Sequence, residues 1–249
     1  MGQETAADRL RLIMGEEALY RLSQASVMVL GLGGVGSSCA EALARGGIGA
    51  LTLVDRDVVT PSNINRQALA FHSTLGQPKA EVMKRMAEDI NPACRVTAVR
   101  AFIDKDRIDE LLGGLPRPDY VVDAIDTVSQ KLAIAAWCQK EHIPEVSAMG
   151  GANKLDPTRL RFANIEDTVV DPLARIVRKE CRKRGITGLK VLYSEEFPRE
   201  AEGKRDAIDG KGFVLEGASI LGSMSYYPPI MGQMLAGYVI CSLAGLPWS

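Results

Sequence analysis

No Cys-x-x-Cys pair occurs anywhere in the 249 residues. The five cysteines, Cys39, Cys94, Cys138, Cys181 and Cys241, are well separated. That excludes a four-cysteine zinc site, speaks against a disulfide framework and fits a reducing cytosol. Histidine is scarce: His72 and His142 are the only two, and both are read as structural. Net charge is nearly absent, at −1, so no global field draws nucleic acid or a membrane, and any such contact must rest on a local patch. The N-terminus, MGQETAADRLRL, has no apolar signal-peptide core, and Ala6 breaks the myristoylation pattern that Gly2 would begin. Charge is missing altogether from Gly217 to Ser249. Within that stretch, residues 230–246 are only 17 long, hold Gln233 and three glycines, follow Pro228-Pro229 and lack flanking Lys or Arg. They are read as a buried core helix rather than a membrane span.

What is present begins at Val27-Met28-Val29-Leu30, a run of β-formers leading into Gly31-Leu32-Gly33-Gly34-Val35-Gly36 and a small-residue helix over 37–45. A nucleotide phosphate site at a strand-to-helix turn needs this order. Gly31 permits the turn, Gly33 and Gly34 let backbone approach phosphate, and Gly36 lets helix pack on strand. By itself the pattern fits a dinucleotide oxidoreductase or a purely structural turn equally well. A second strand, 50–55, ends in Asp55, 24 residues after Gly31, where such a fold places a ribose-binding carboxylate. Next comes a polar loop, Asp57 to Gln67, with Asn63 and Asn65 set around Arg66. A turn then delivers Lys79 into a helix over 80–89. Hydride transfer has no need of Arg66 and Lys79 here, whereas a triphosphate losing pyrophosphate does.

Further strands are expected at 95–100, 120–126 and 190–194, and a strand with a glycine-rich turn at 143–152. Residues 8–22 read as an amphipathic helical arm with Gly15 as a break. Asp171-Pro172 opens a helix carrying Arg175, Arg178, Lys179, Arg182, Lys183 and Arg184, ended by Gly185. That basic cluster is the local patch that RNA binding would use. The polar stretch 195–212 reads as a mobile loop. The fold expected is α/β and Rossmann-like: a mostly parallel sheet flanked by helices, with the C-terminal extension packed on the same single domain, 1–249. The arm is 1–24, the nucleotide-binding half 25–150 and the substrate and dimer half 151–249.

GLGGVG, VDRD, SNINRQ, GQPKAE and the strand end VDAID together resemble the adenylating domain of the ubiquitin-activating enzyme superfamily and its sulfur-carrier-activating relatives. The resemblance implies ATP bound by Gly31, Gly33, Gly34, Gly36, Asp55, Asp57, Asn63, Asn65, Arg66, Gln67 and Lys79, with Asp126 holding Mg²⁺. It also implies a homodimer in which Arg9 reaches the partner subunit's ATP. Where the superfamily carries Asn and Arg after that acid, this chain has Thr127 and Lys131. Lys131 keeps the charge without the planar fork. Cys181, among Lys179, Arg182 and Lys183, is the one candidate for a thioester cysteine, against a reading as an inert helix residue. RLRLIMGEEAL, KLDPTR, DPLAR, KVLYSEE and GSMSYYPPIMGQMLAG are similar to the tRNA threonylcarbamoyladenosine dehydratase group, across nearly the whole chain. This implies ATP-dependent dehydration of that modified adenosine in tRNA, in the cytoplasm, through a carboxyl-adenylate. Arg66, Lys79, Asp126 and Arg9 would serve catalysis, the basic helix would meet tRNA, and a sulfur-relay-type protein partner could assist. Activation of a small carrier protein with a C-terminal glycine is the alternative.

Overall fold

A computed structural model describes residues 4–200, 206–208, 214–219 and 221–248, with 206–208 and 214–219 described as backbone only. Seven strands form one sheet: β1 Ser26–Leu30, β2 Ala50–Val54, β3 Arg95–Val99, β4 Tyr120–Asp123, β5 Glu145–Ala148, β6 Leu160–Asn164 and β7 Lys190–Ser194. Their order is β3-β2-β1-β4-β5-β7-β6, with every pairing parallel except β6 against β7. Helices cover both faces, so the inner strands are buried on both sides. That is why VMVL and LTLV read as continuous apolar runs and not as alternation. The expected Rossmann-like architecture is present.

The helices are α1 Asp8–Gln24, α2 Gly34–Arg45, α3 Lys79–Ile90, α4 Ile108–Gly113, α5 Val128–Glu141, α6 Pro172–Arg184 and α7 Tyr227–Ala244. Gly15 does break the arm, with φ 79° inside α1. α2 begins at Gly34, three residues ahead of the expected start, so its first turn lies within the glycine loop. α7 is the uncharged segment, and it packs on α2. A Cβ at Gly232 would sit 2.3 Å from Val35 O, so the two helices meet at backbone distance. Met231, Leu235, Ala236 and Val239 are buried in that contact. The apolar character of α7 thus belongs to the core. Among the described residues, no helix is long and apolar enough to cross a membrane.

The structure adds elements that the sequence reading lacked. α4 is short, and β6 is an edge strand running against its neighbour. A hairpin of β8 Asp206–Ile208 and β9 Val214–Ser219 corrects part of the loop expected over 195–212. Of the remainder, 201–205 and 209–212 lie outside the described residues. Residues 195–200 form neither helix nor strand, and the Glu196 carboxylate accepts from Leu155 N at 2.9 Å and Asp156 N at 2.8 Å.

Candidate functional site

The carboxyl ends of β1 and β4 lie side by side, and the chain leaves them in opposite directions, from β1 toward β2 and from β4 toward β5. Ligands of open α/β sheets bind at such a switch point. A cleft of about 770 Å³ lies there. Its charged lining residues are Asp55, Arg56, Asp57, Arg66, Lys79 and Asp126. Its uncharged lining includes Met149 to Ala152, Leu173, Leu221 to Ser223 and Pro228.

The glycine loop is built for close approach. Gly31 has φ 85°, and its N–H donates to Val54 O at 2.9 Å. A Cβ at Gly36 would lie 1.8 Å from Gly31 O, and one at Gly34 would lie 2.7 Å from Pro228 Cβ. Packing therefore fixes Gly36 and Gly34. Gly33 differs: a Cβ there would meet no protein atom within 4 Å, although Gly33 lines the cleft and caps α2. No protein neighbour demands glycine at that position, whereas a ligand against the helix N-terminus would.

Asp55 sits beyond β2 with its carboxylate turned to the loop. Oδ2 accepts from Leu32 N at 2.6 Å, and Oδ1 from Asp57 N at 2.7 Å. It steadies the loop and keeps spare lone pairs toward the cleft. Lys79 Nζ, nearly buried, stands 3.4 Å from Asp57 Oδ2. Arg66 has no carboxylate partner among the described residues; it donates to Ser62 O at 2.9 Å and to Asn65 Oδ1 at 2.8 Å. Its charge is thus open to an anion. Gln67 Oε1 is buried without a partner and its residue lines the cleft, which is where a ligand donor would be expected. Asp126 is exposed at the cleft, and among the described residues its carboxylate accepts only from Thr127 Oγ1, at 3.3 Å.

The remaining expected site residues are placed less directly. Asn63 lines the cleft, but its Oδ1 accepts from Thr60 N at 3.1 Å, bracing the loop. Asn65 does not line the cleft; its amide bridges Arg66 to Ser223 O, at 3.1 Å on the Ser223 side. Arg9 is exposed on α1 and does not line its own chain's cleft. In the basic helix, Arg175, Lys179 and Arg182 are exposed without an ion pair among the described residues. Lys183 and Arg184 pair with Glu180 at 2.7 and 3.8 Å. Arg178 turns inward to the Thr168 carbonyl and hydroxyl, which removes it from the patch. Cys181 is buried against the sheet, and burial pushes its thiol up to about 11, contrary to the depressed value that its basic neighbours suggested. His142 ends α5 at φ 54°, a structural cap.

Two buried ion pairs beneath the cleft were not foreseen. Lys131 Nζ lies 2.8 Å from Asp123 Oδ2 and 3.0 Å from Ser147 Oγ. Asp123 Oδ1 accepts from Ile125 N at 3.0 Å, fixing the turn that carries Asp126. Glu145, with Oε1 buried and unpartnered, is held well above the usual carboxylate range by burial and by Asp123. Lys154, equally buried, ties Gly150 O to Asp171, which caps α6. Lys131 could be found as the replacement for an arginine, whereas nothing in the spacing marks Lys154.

The chain matches the model of the ThiF family over residues 7–247. It is 41% identical to the tRNA threonylcarbamoyladenosine dehydratase of Bacillus subtilis (strain 168), over 94% of this chain and 93% of that protein. It is 40% identical to the tRNA threonylcarbamoyladenosine dehydratase of Escherichia coli (strain K12), over 74% of this chain and 71% of that protein. A crystal structure of the E. coli tRNA N6-threonylcarbamoyladenosine dehydratase, TcdA, in complex with ATP superposes with a TM-score of 0.80 at 32% identity, covering 97% of this chain and 98% of that one. On sequence and fold together, the chain belongs to the ThiF family.

Proposed function

We propose that this chain is an ATP-dependent tRNA threonylcarbamoyladenosine dehydratase. The single observation that carries the reading is the set of Gly33, Arg66 and Gln67 in one cleft: a glycine with open space before it, a cation without a counter-charge and an orphaned acceptor. ATP is the co-substrate, with its phosphates between the α2 N-terminus and the Arg66 and Lys79 cations. Asp55 offers remaining lone pairs to the ribose. Asp126 fits Mg²⁺, because that ion takes one or two carboxylates with phosphate oxygens and waters and needs no protein cage. When bound, the ion neutralises charge developing on the leaving pyrophosphate.

The side-chain carboxylate of threonylcarbamoyladenosine attacks the α-phosphorus and pyrophosphate leaves. A neighbouring group of the same modification then loses its proton, attacks the activated acyl carbon and displaces AMP. The substrate loses one water, whose oxygen departs on AMP. The second nucleophile is internal, so the high effective molarity of an intramolecular attack replaces a protein nucleophile. A buried Cys181 with a raised thiol pKa suits that division of labour. The exposed cations of α6 supply the salt-sensitive tRNA contact, and Arg9 acts across a homodimer in the cytoplasm.

Incubating the protein with ATP and threonylcarbamoyladenosine-modified tRNA tests the reading. AMP release together with a tRNA nucleoside lighter by one water is expected. AMP release driven by a carrier peptide ending in glycine, and not by modified tRNA, overturns it in favour of the carrier-activating alternative.

A further inference from the structure

The uncharged stretch Leu221 to Ser223 at the cleft is held in place by its neighbours. Three chain segments, 153–156, 196–199 and 221–226, are laced by hydrogen bonds. Asn153 N donates to Gly222 O at 2.9 Å, and Gly222 N returns a bond to Asn153 Oδ1 at 2.8 Å. Asn153 adopts a left-handed conformation, φ 58°, to make that pair. Arg199 N donates to Asn153 O at 2.8 Å, and Glu196 takes the Leu155 and Asp156 amides. Tyr226 Oη donates to Leu155 O at 2.8 Å. Through Ser223 O, the stretch is joined to Asn65 and thence to Arg66.

This bracing presents apolar groups to solvent. Leu221 is 61% exposed and lines the cleft, while Phe197 and Tyr226 stand 74% and 39% exposed on the adjoining segments. The Tyr226 hydroxyl is fixed, so its ring is held in one orientation while a face stays accessible. Such an arrangement is costly to leave in water without a partner and is what base stacking uses.

The chemistry of the site fixes how far away that partner is. Five bonds separate the purine N6 from the carboxylate oxygen that meets the α-phosphorus, so N6 lies within roughly 6 Å of the reaction centre and the rings extend outward from it. The charged lining residues are taken by the nucleotide. The uncharged stretch Leu221 to Ser223 remains for a neutral planar base on a short arm.

We infer that the rim formed by Leu221, Tyr226 and Phe197 receives the purine of the substrate nucleoside, splayed out of its single-stranded loop and stacked on aromatic faces. This rests on the dehydratase reading and assigns the substrate-base subsite of that reaction. Specificity for the modified base is then set by the 221–226 segment, and general RNA affinity by the exposed α6 cations.

The test uses the full chain with ATP and modified tRNA. Tyr226→Ala and Phe197→Ala should each raise the KM for tRNA about tenfold, the loss expected for one stacked ring. Tyr226→Phe should stay near wild type, because the ring persists. Direct ATP binding should be unchanged in all three. Phe197 is exposed on the rim, so its variant guards against a folding defect in Tyr226→Ala. Wild-type KM in both alanine variants, or an equal loss of ATP affinity, overturns the assignment of the rim. If the wild-type protein releases no AMP with modified tRNA, the dehydratase reading fails first and the subsite falls with it.

Discussion

Replacing Lys131 by Met would leave the Asp123 carboxylate in the core without its counter-charge. Lys131 and Asp123 are 1% and 0% exposed, with 2.8 Å between Nζ and Oδ2. Breaking such a pair by removing one partner costs about 3–5 kcal/mol. Two donors would still serve the carboxylate, Ser147 Oγ at 2.6 Å and Ile125 N at 3.0 Å. They place the cost near the lower end, about 3 kcal/mol. For a chain of this size each kcal/mol moves Tm by about 2–4 °C, so Lys131→Met should melt roughly 6–12 °C below wild type. Adding Asp123→Asn removes the buried charge, and the double variant should recover at least half of the loss. Thermal unfolding followed by circular dichroism reads both. ATP affinity should fall in the single variant as well, because Asp123 fixes the turn before Asp126. If Lys131→Met melts with the wild type, or the double variant melts no higher than the single one, the ion-pair account is refuted.

Other expectations follow from the same site. Arg66→Ala and Lys79→Ala should each lower the rate of AMP formation by about 10²–10³ while the fold persists, read by single-turnover kinetics beside circular dichroism. Glu145 protonates more readily folded than unfolded, so its contribution to stability is largest below the ordinary carboxylate range and declines as pH rises above it. Urea unfolding across that window should show a slope that Glu145→Gln removes. Joint alanine substitution of Arg175, Lys179 and Arg182 should weaken tRNA binding and reduce its log–log salt dependence by about 2–3, whereas Arg178→Ala should act on stability instead. Cys181→Ala should keep activity, and the wild-type thiol should resist alkylation at mildly alkaline pH, as burial raises it to about 11.

Much of this was legible in the chain. The strand positions near 27–30 and 50–55, the glycine loop, Asp55 at the end of β2 and Lys79 at the start of α3 are short-range patterns, fixed by β-propensity, turn chemistry and helix starts within a few residues. The meaning of the uncharged C-terminus was legible as well, since seventeen residues interrupted by Gln233 and three glycines, without flanking Lys or Arg, suit a core helix better than a membrane span. Less legible was what each side chain does when it arrives. Asn63 and Asn65 read as phosphate ligands, yet one braces its loop and the other bridges Arg66 to Ser223. The basic run on α6 read as one patch, yet its helical face turns Arg178 inward.

The sequence by itself therefore determined the mostly parallel sheet class, the strand-to-helix turn where the nucleotide cleft forms and the kind of chemistry its charges suit, because those depend on local order and spacing. Tertiary structure alone decided the pairing of Lys131 with Asp123 and of Lys154 with Asp171, the burial of Cys181 and the lacing together of residues 153–156, 196–199 and 221–226. Those partners lie from 8 to about 70 residues apart in the chain. Burial, which sets what a charge or a thiol can do, exists only once distant segments have closed over it.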